Sequence, residues 1–229
     1  MDITSLEVKR IAEELGMDLC GVASVDRFEE APRGYHPRDV LPQCKSVVVI
    51  GRKFLHSTLH SPSLIPYSIV RNKLTEKMDY AGLELCYRLE AEGIAAVPAG
   101  TVGPCTHDAD TNKTRGIISL KHAAVQAGLG KIGKNTLLVN DLYGNMIWLN
   151  AVLTSAELEP DPVASYEGCL KNCRLCLDAC PIRAMDGVSM DQGRCWQHAF
   201  QSYGGDQVVI SCCACRKACP NRLGIHSPV

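Results

Sequence analysis

Residues 169–181 read Cys169-Leu-Lys-Asn-Cys173-Arg-Leu-Cys176-Leu-Asp-Ala-Cys180-Pro181, and residues 212–220 read Cys212-Cys213-Ala-Cys215-Arg-Lys-Ala-Cys219-Pro220. Both runs contain C-x2-C-x3-C-P, and Cys195 lies between them. A four-iron cubane needs four thiolates converging on one centre. A short loop delivers three of them, and the fourth comes from elsewhere in the chain. The proline turns the chain away after the last cysteine and removes a backbone donor. In bacterial two-cluster proteins the fourth cysteine of each run ligates the other cluster. That rule assigns Cys169, Cys173, Cys176 and Cys219 to one [4Fe–4S] centre, and Cys180, Cys195, Cys212 and Cys215 to a second. One spacing departs from the pattern: three residues separate Cys169 from Cys173 where two are usual, which reads as a one-residue bulge. Cys213 is an alternative to Cys212, but it breaks the C-x2-C step to Cys215.

The chain has 229 residues and 13 cysteines, so the density is local to the tail. The opening MDITSLEVKRIAEELG has no apolar core and no small-residue cleavage site of a secretory signal. The longest apolar stretches, Val47 to Gly51 and Met146 to Leu153, are too short to span a bilayer. A cytoplasmic protein with no membrane partner is expected. In that reducing compartment dense cysteine means metal or redox chemistry rather than disulfides. Zinc is the weaker reading, because the recurring C-x3-C-P adds nothing to a zinc ribbon. Cys20, Cys44, Cys86, Cys105 and Cys213 are left over and read as small apolar fillers, with Cys105 set apart by its polar loop. A net charge of −1 gives no basic field for DNA, and 5% aromatic residues argue against a base-stacking platform.

Upstream the pattern is α/β. Thr4 or Ser5 can cap a first helix with Leu6, Ile11, Ala12 and Leu15 on one face, ended by Gly16. Asp18–Ser24 and Ile94–Ala99 read as short strands, and Lys45–Phe54 as a buried one. Ser68–Glu92 carries Ile69, Leu74, Met78, Ala81, Leu85 and Leu89 at helical spacing. Residues 101–116 form a long polar loop, and Ser119–Ala127 a helix. Thr136–Asn140 and Met146–Thr154 are predicted to pair as a hairpin around DLYGN. Composition changes at Glu157–Pro162, which puts a boundary near residue 160: an α/β cofactor-binding domain over 1–160 and a cluster domain over 161–229.

Gly128-Leu129-Gly130-Lys131-Ile132-Gly133 matches G-x-G-x-x-G. A dinucleotide fingerprint follows a strand and opens a helix, whereas this one follows a helix and precedes a strand. Nicotinamide binding is therefore excluded here. Two readings stay open: the turn, with Lys131, Lys134 and Asn135, cradles a large anionic or amide-rich cofactor, or it only stops a helix.

AGLGKIGKNTLLVN (127–140), an apolar strand, the two cysteine runs and Cys195 together resemble the epoxyqueuosine reductase family, as does LPQCKSVVVIG (41–51). The resemblance covers residues 17 to 220 with gaps. It implies a nitroreductase-like α/β sandwich that binds a base-off corrinoid (cobalamin), followed by a ferredoxin-like double [4Fe–4S] domain that reduces it. It also implies that Gly128, Leu129, Gly130, Lys131, Gly133, Lys134 and Asn135 line the corrinoid pocket. The family carries a proton-donating Asp in an Asp-Thr-Gly-Pro segment before the AGLG turn; ungapped alignment puts Thr114 there. A threonine is no acid near neutral pH, which leaves His107, Asp108 and Asp110 as candidate replacements. The sequence ends at Val229 without the family's helical C-terminal extension, and with a net charge of −1 a tRNA partner is not expected.

The resulting expectation is an iron–sulfur oxidoreductase. An external low-potential donor passes electrons through two [4Fe–4S] clusters to a corrinoid, which reduces a small-molecule substrate other than the family's. The rivals are an electron-transfer protein with a docking module, a reductive activator of a corrinoid protein, and a flavin-dependent reductase holding FMN.

Overall fold

The computed structural model describes residues 3–109, 113–201 and 208–225. The strands are β1 (Leu19–Ser24), β2 (Ser46–Lys53), β3 (Ala96–Pro98), β4 (Thr106–Asp108), β5 (Lys113–Arg115), β6 (Lys131–Ile132), β7 (Leu138–Val139), β8 (Ile147–Thr154), β9 (Phe200–Gln201) and β10 (Val209–Ile210). The helices are α1 (Ser5–Glu14), α2 (Pro37–Val40), α3 (Ile65–Ala91), α4 (Leu120–Gln126), α5 (Leu175–Asp178), α6 (Gln192–Ala199) and α7 (Ala214–Lys217). The central sheet is antiparallel in the order β1-β2-β8-β3.

Strand alternation builds two cores. Val48, Ile50 and Val152 point to one face, where Val8 and Ala12 of α1 and Met78, Ala81, Leu85 and Leu89 of α3 cover them. Val47, Val49, Ala151 and Leu153 point to the other, against Ala123, Ala124 and Ala127 in and beside α4. A strand buried on both faces needs a continuous apolar run, and SVVVIG in β2 supplies it. Close approach is built in at Gly21: a Cβ there would lie 2.3 Å from the Ala127 carbonyl oxygen.

The capping of α1 follows the sequence. Thr4 Oγ1 accepts from Glu7 N at 3.2 Å, and Glu7 Oε2 accepts from Thr4 N at 2.8 Å. Its expected apolar face holds in part: Ala12 is buried and Ile11 and Leu15 pack against the core, but Val8 is buried in place of Leu6, which is 78% exposed. Likewise Ile69 of α3 is exposed, and Tyr67, Ser68 and Arg71 are the buried residues of that end. The predicted hairpin is also corrected. The chain does reverse tightly at 140–144, where Asn140 and Gly144 exchange backbone hydrogen bonds. However, β7 pairs with β6, and β8 runs between β2 and β3. β8 pairs along all eight of its residues with β2 and along three with β3, which the two-residue β7 cannot match. The 101–116 loop contains the small β4–β5 pair.

After residue 160 the chain first returns to the sheet: Asp161 Oδ2 accepts from Val22 N at 2.8 Å, and Oδ1 takes Lys9 Nζ at 2.5 Å. The cysteine runs then fold alike. Each wraps one helical turn, α5 or α7, and these two turns pack together. Their seat on the larger lobe is the 140–144 turn. A Cβ on Gly144, at φ 57°, would lie 2.0 Å from the Asn221 carbonyl oxygen, so only glycine lets the chain after Cys219 approach this closely.

Candidate functional site

Cys169, Cys173, Cys176 and Cys219 line one small cavity, closed by Lys134, Asn135, Gly168 and Asn221. Lys134 supplies two of the contacts. Its backbone N donates to Cys169 Sγ at 3.4 Å, and its Nζ donates to the Cys173 carbonyl at 2.8 Å. Cys195 on α6, together with Cys212, Cys213 and Cys215, lines a second and much larger cavity of about 670 Å3. Cys180 is outside that lining but lies near enough to Cys195 to hinder its ionisation, and Cys180 Sγ accepts from Ala184 N at 3.3 Å. Cys212 bears on both Cys195 and Cys215, whereas Cys213 is flanked by Arg216 and Lys217.

The thiols are partly desolvated. Burial pushes Cys215 and Cys219 up to about 11, with neighbouring thiols adding to it. Cys176 and Cys195 are raised for the same two reasons, burial first. Binding metal here therefore displaces protons. All thirteen cysteines are free thiols. Among the described residues no three His, Cys, Asp or Glu side chains converge closely enough for one metal ion. Four thiols from two separate runs around one small cavity give the ligand number that a [4Fe–4S] centre requires.

The large cavity lies between the cysteine runs and the central sheet. Trp148 and Leu149 of β8, Ile118, Leu137 and Leu138 form an apolar wall. Gly100, Gly103 and Gly116 leave room in another wall, where a Cβ on Gly103 or Gly116 would meet nothing nearer than 3.5 Å. The volume falls in the upper half of the range for cofactor and substrate sites, roughly 300–1,000 Å3. The charged lining is cationic: Arg71, Arg115, Lys121 and Arg216, with no Asp or Glu among the described residues.

The candidate residues separate on this map. Of the turn expected to line a cofactor pocket, Asn135 alone borders the large cavity. Lys134 and Asn135 border the small one, and Gly133 lies beside Cys169, where a Cβ would be 3.6 Å from Sγ. Leu129 belongs to the core, while Gly128 and Gly130 admit the backbone of Pro162 and Val139. Lys131 packs against Gly168. These positions are set by chain packing and by the thiols. Thr114 borders the large cavity and is clamped to α6: its N donates to Gln192 Oε1 at 2.8 Å, and its carbonyl accepts from Gln192 Nε2 at 3.0 Å. His107 Nδ1 lies 3.0 Å from Thr114 Oγ1. Asp108 is exposed, opposite Lys113 and outside the cavity lining. Asp110 falls outside the described residues. Sequence reading missed Tyr67, Arg71, Trp148 and Arg216; the one signal for them was a charged residue, Arg71, interrupting an otherwise apolar helix face.

No family model matches the chain. It is 26% identical to an epoxyqueuosine reductase of Lactococcus garvieae, over 96% of this chain and 70% of that one. It is 35% identical to that of Pseudomonas aeruginosa, over 93% of this chain and 67% of the relative. A tetrachloroethene reductive dehalogenase of Desulfitobacterium hafniense is 30% identical over 74% of this chain and 27% of its own length. The fold matches a Streptococcus thermophilus epoxyqueuosine reductase structure with a TM-score of 0.65 at 22% identity, covering 98% of this chain and 67% of that one. An epoxyqueuosine reductase bound to an epoxyqueuosine-modified tRNA stem loop gives 0.61 at 22% identity, covering 95% and 64%. A reductive dehalogenase of B12-dependent dehalogenation gives 0.62 at 16% identity, covering 93% and 31%. Fold and relatives thus define an oxidoreductase of the class that spans these two kinds of reductase. Within that class, the chain belongs to the epoxyqueuosine reductase family.

Proposed function

We propose that this protein is an iron–sulfur reductase in which residues 1–160 bind a corrinoid and residues 161–229 hold two [4Fe–4S] clusters in a ferredoxin-like arrangement. The observation that carries the reading is the shared wall: Cys195, Cys212 and Cys215 border the same 670 Å3 cavity as the central sheet. A cluster held by those thiols would stand directly at the cavity, with no intervening layer of protein. The grouping of Cys169, Cys173, Cys176 and Cys219 around one small cavity supports the crossed ligand sets, and the neighbours of Cys212 favour it over Cys213. The larger lobe is read as a nitroreductase-like sandwich. The B12-dependent relative supports a corrinoid rather than FMN.

When bound, the clusters supply one-electron transfer and the corrinoid supplies low-valent cobalt. The chain's own groups do the rest. Backbone N–H groups of Lys134 and Ala184 donate to Cys169 and Cys180 sulfurs, which favours the reduced state. Trp148, Leu149 and Ile118 keep water from the cavity wall. Thr114 Oγ1 and His107 Nδ1 form a hydrogen-bonded pair reaching from the cavity to solvent, along which a proton can be held or exchanged. An external low-potential donor in a reducing compartment completes the proposal.

The substrate is proposed to be a small molecule. A relative's complex with a tRNA stem loop weighs against setting tRNA aside on net charge alone, so that substrate belongs in the assay. Among the described residues no helix is long and apolar enough to cross a membrane. The test is anaerobic purification with iron, sulfide and zinc analysis, then spectral titration with cob(II)alamin. Eight irons per chain and saturable corrinoid binding are expected. Zinc in place of iron, or full iron with no corrinoid binding, would overturn the reading. Turnover is then assayed on an epoxyqueuosine-bearing stem loop and on organohalides.

A further inference from the structure

Two guanidinium groups flank one indole in the large cavity. The ζ-carbons of Arg71 on α3 and Arg216 on α7 each lie 5.9 Å from the Trp148 ring centroid. Both side chains line the cavity, and both residues are only 7% exposed. Neither is fully partnered. Arg71 Nη1 donates to Asn72 Oδ1 at 3.0 Å, but its Nε is buried with no acceptor, as is Nη1 of Arg216. Neither forms an ion pair among the described residues.

Such an arrangement is costly to maintain. Arginine does not shed its proton in a folded protein, so burial cannot be relieved by neutralisation. A buried cation without a counter-charge and with unmet donors is strongly unfavourable. Desolvation already lowers the basicity of Arg71. Among the described residues no carboxylate borders the cavity to offset the charge, and Lys121 adds to it. The cavity that both side chains line is the route by which an anion can reach these guanidinium groups.

We propose that Arg71 and Arg216 form an oxyanion subsite at the cavity they both line, with their guanidinium groups as its donors and Trp148 as its apolar side. Phe200, with its ring centroid 5.9 Å from the Arg71 ζ-carbon, adds an aromatic side. The ligand is a phosphate or carboxylate carried on a largely apolar body. Two sources share that chemistry: the phosphodiester in the nucleotide tail of a corrinoid, and an anionic group on the substrate. The donors belong to this chain, so the subsite does not rest on the corrinoid reading.

The test is anaerobic isothermal titration of the cluster-loaded full chain with inorganic phosphate, cob(II)alamin and cob(II)inamide, the last lacking the tail phosphate. Wild type, Arg71→Gln and Arg71→Lys are compared, with iron content as the folding control. Phosphate is expected to bind the wild type saturably and to weaken about tenfold to a hundredfold in Arg71→Gln, the range for a hydrogen bond to a charged group. Arg71→Lys, which keeps the charge but loses the fork, should fall between them. If the tail phosphate is the natural occupant, phosphate competes with cob(II)alamin and not with cob(II)inamide, and Arg71→Gln weakens only the former. If a substrate supplies the anion, phosphate binds alongside both corrinoids. No saturable phosphate binding to wild type, or equal binding by Arg71→Gln with full iron, overturns the subsite. Phosphate binding with no corrinoid binding leaves the subsite standing and removes the corrinoid.

Discussion

Asn135 Nδ2 donates to the Cys215 carbonyl oxygen at 3.4 Å, from a side chain that borders both cavities. Its Oδ1 accepts from Leu137 N at 3.2 Å, so one buried amide holds its own turn in shape and ties it to the second cysteine run. The GKN end of the glycine-rich turn is therefore the joint between the two sites.

Replacing that amide separates its two roles. Asn135→Leu removes both hydrogen bonds and leaves a buried carbonyl unpaired, so a loss of about 1–3 kcal/mol in denaturant unfolding is expected. Asn135→Asp keeps the size and the acceptor but adds a negative charge beside the Cys215 loop. A negative charge disfavours the reduced cluster, and EPR-monitored redox titration should show one potential lowered more than the other.

The crossed ligand sets give a sharper test. Cys219→Ser should remove the centre held by Cys169, Cys173 and Cys176, although Cys219 belongs to the second run. Cys180→Ser should damage the centre held by Cys195, Cys212 and Cys215. Each variant should retain about four irons, and Cys213→Ala about eight. Loss of the same centre in Cys180→Ser and Cys173→Ser, resolved by EPR, would show the two runs to be uncrossed.

Thr114 is held by its backbone and offers its side chain, so the two functions can be cut independently. Gln192→Ala breaks both bonds to the Thr114 backbone, and faster amide hydrogen exchange over residues 113–115 is expected at unchanged iron content. Thr114→Val keeps the clamp and removes the hydroxyl that meets His107. If that hydroxyl relays a proton, the turnover rate falls about a hundredfold while corrinoid affinity stays constant. Equal loss of affinity and rate would make Thr114 a packing residue.

What the sequence discloses here depends on how local the cause is. The β2 strand is legible because its unbroken β-branched run fits one environment, and the α1 cap because Thr4 and Glu7 lie three residues apart. The two cysteine runs are legible through spacing alone. The pairing of β8 is not, since its partners in β2 lie about a hundred residues away and a nearby turn offers a competing hairpin. Nor is Arg71. The 27 residues of α3 meet two environments: Met78 to Leu89 pack on the sheet, while Tyr67 to Arg71 face the cavity and β10. A single apolar stripe drawn along that helix misplaces Ile69 and passes over the arginine.

The cysteines outside the clusters set the response to alkali. Burial pushes Cys20 and Cys86 up to about 12, from 9.0 for an open thiol; for Cys86 the nearby Glu90 adds to it. A group whose folded-state pKa is raised stabilises the fold below its unfolded pKa, and that contribution is lost as pH rises through the folded value. Stability should thus be level up to about pH 9 and decline from there toward pH 12. Cys86→Ala, which removes one such thiol, is expected to lose less between pH 8 and pH 11 than the wild type in denaturant titrations. Iodoacetamide mapping of the cluster-loaded protein gives the kinetic counterpart. Cys105 is exposed and should be modified first, with Cys44 and Cys86 reached only on unfolding. Early labelling of Cys86, which is 4% exposed, would mean that α3 opens from the sheet in the native state.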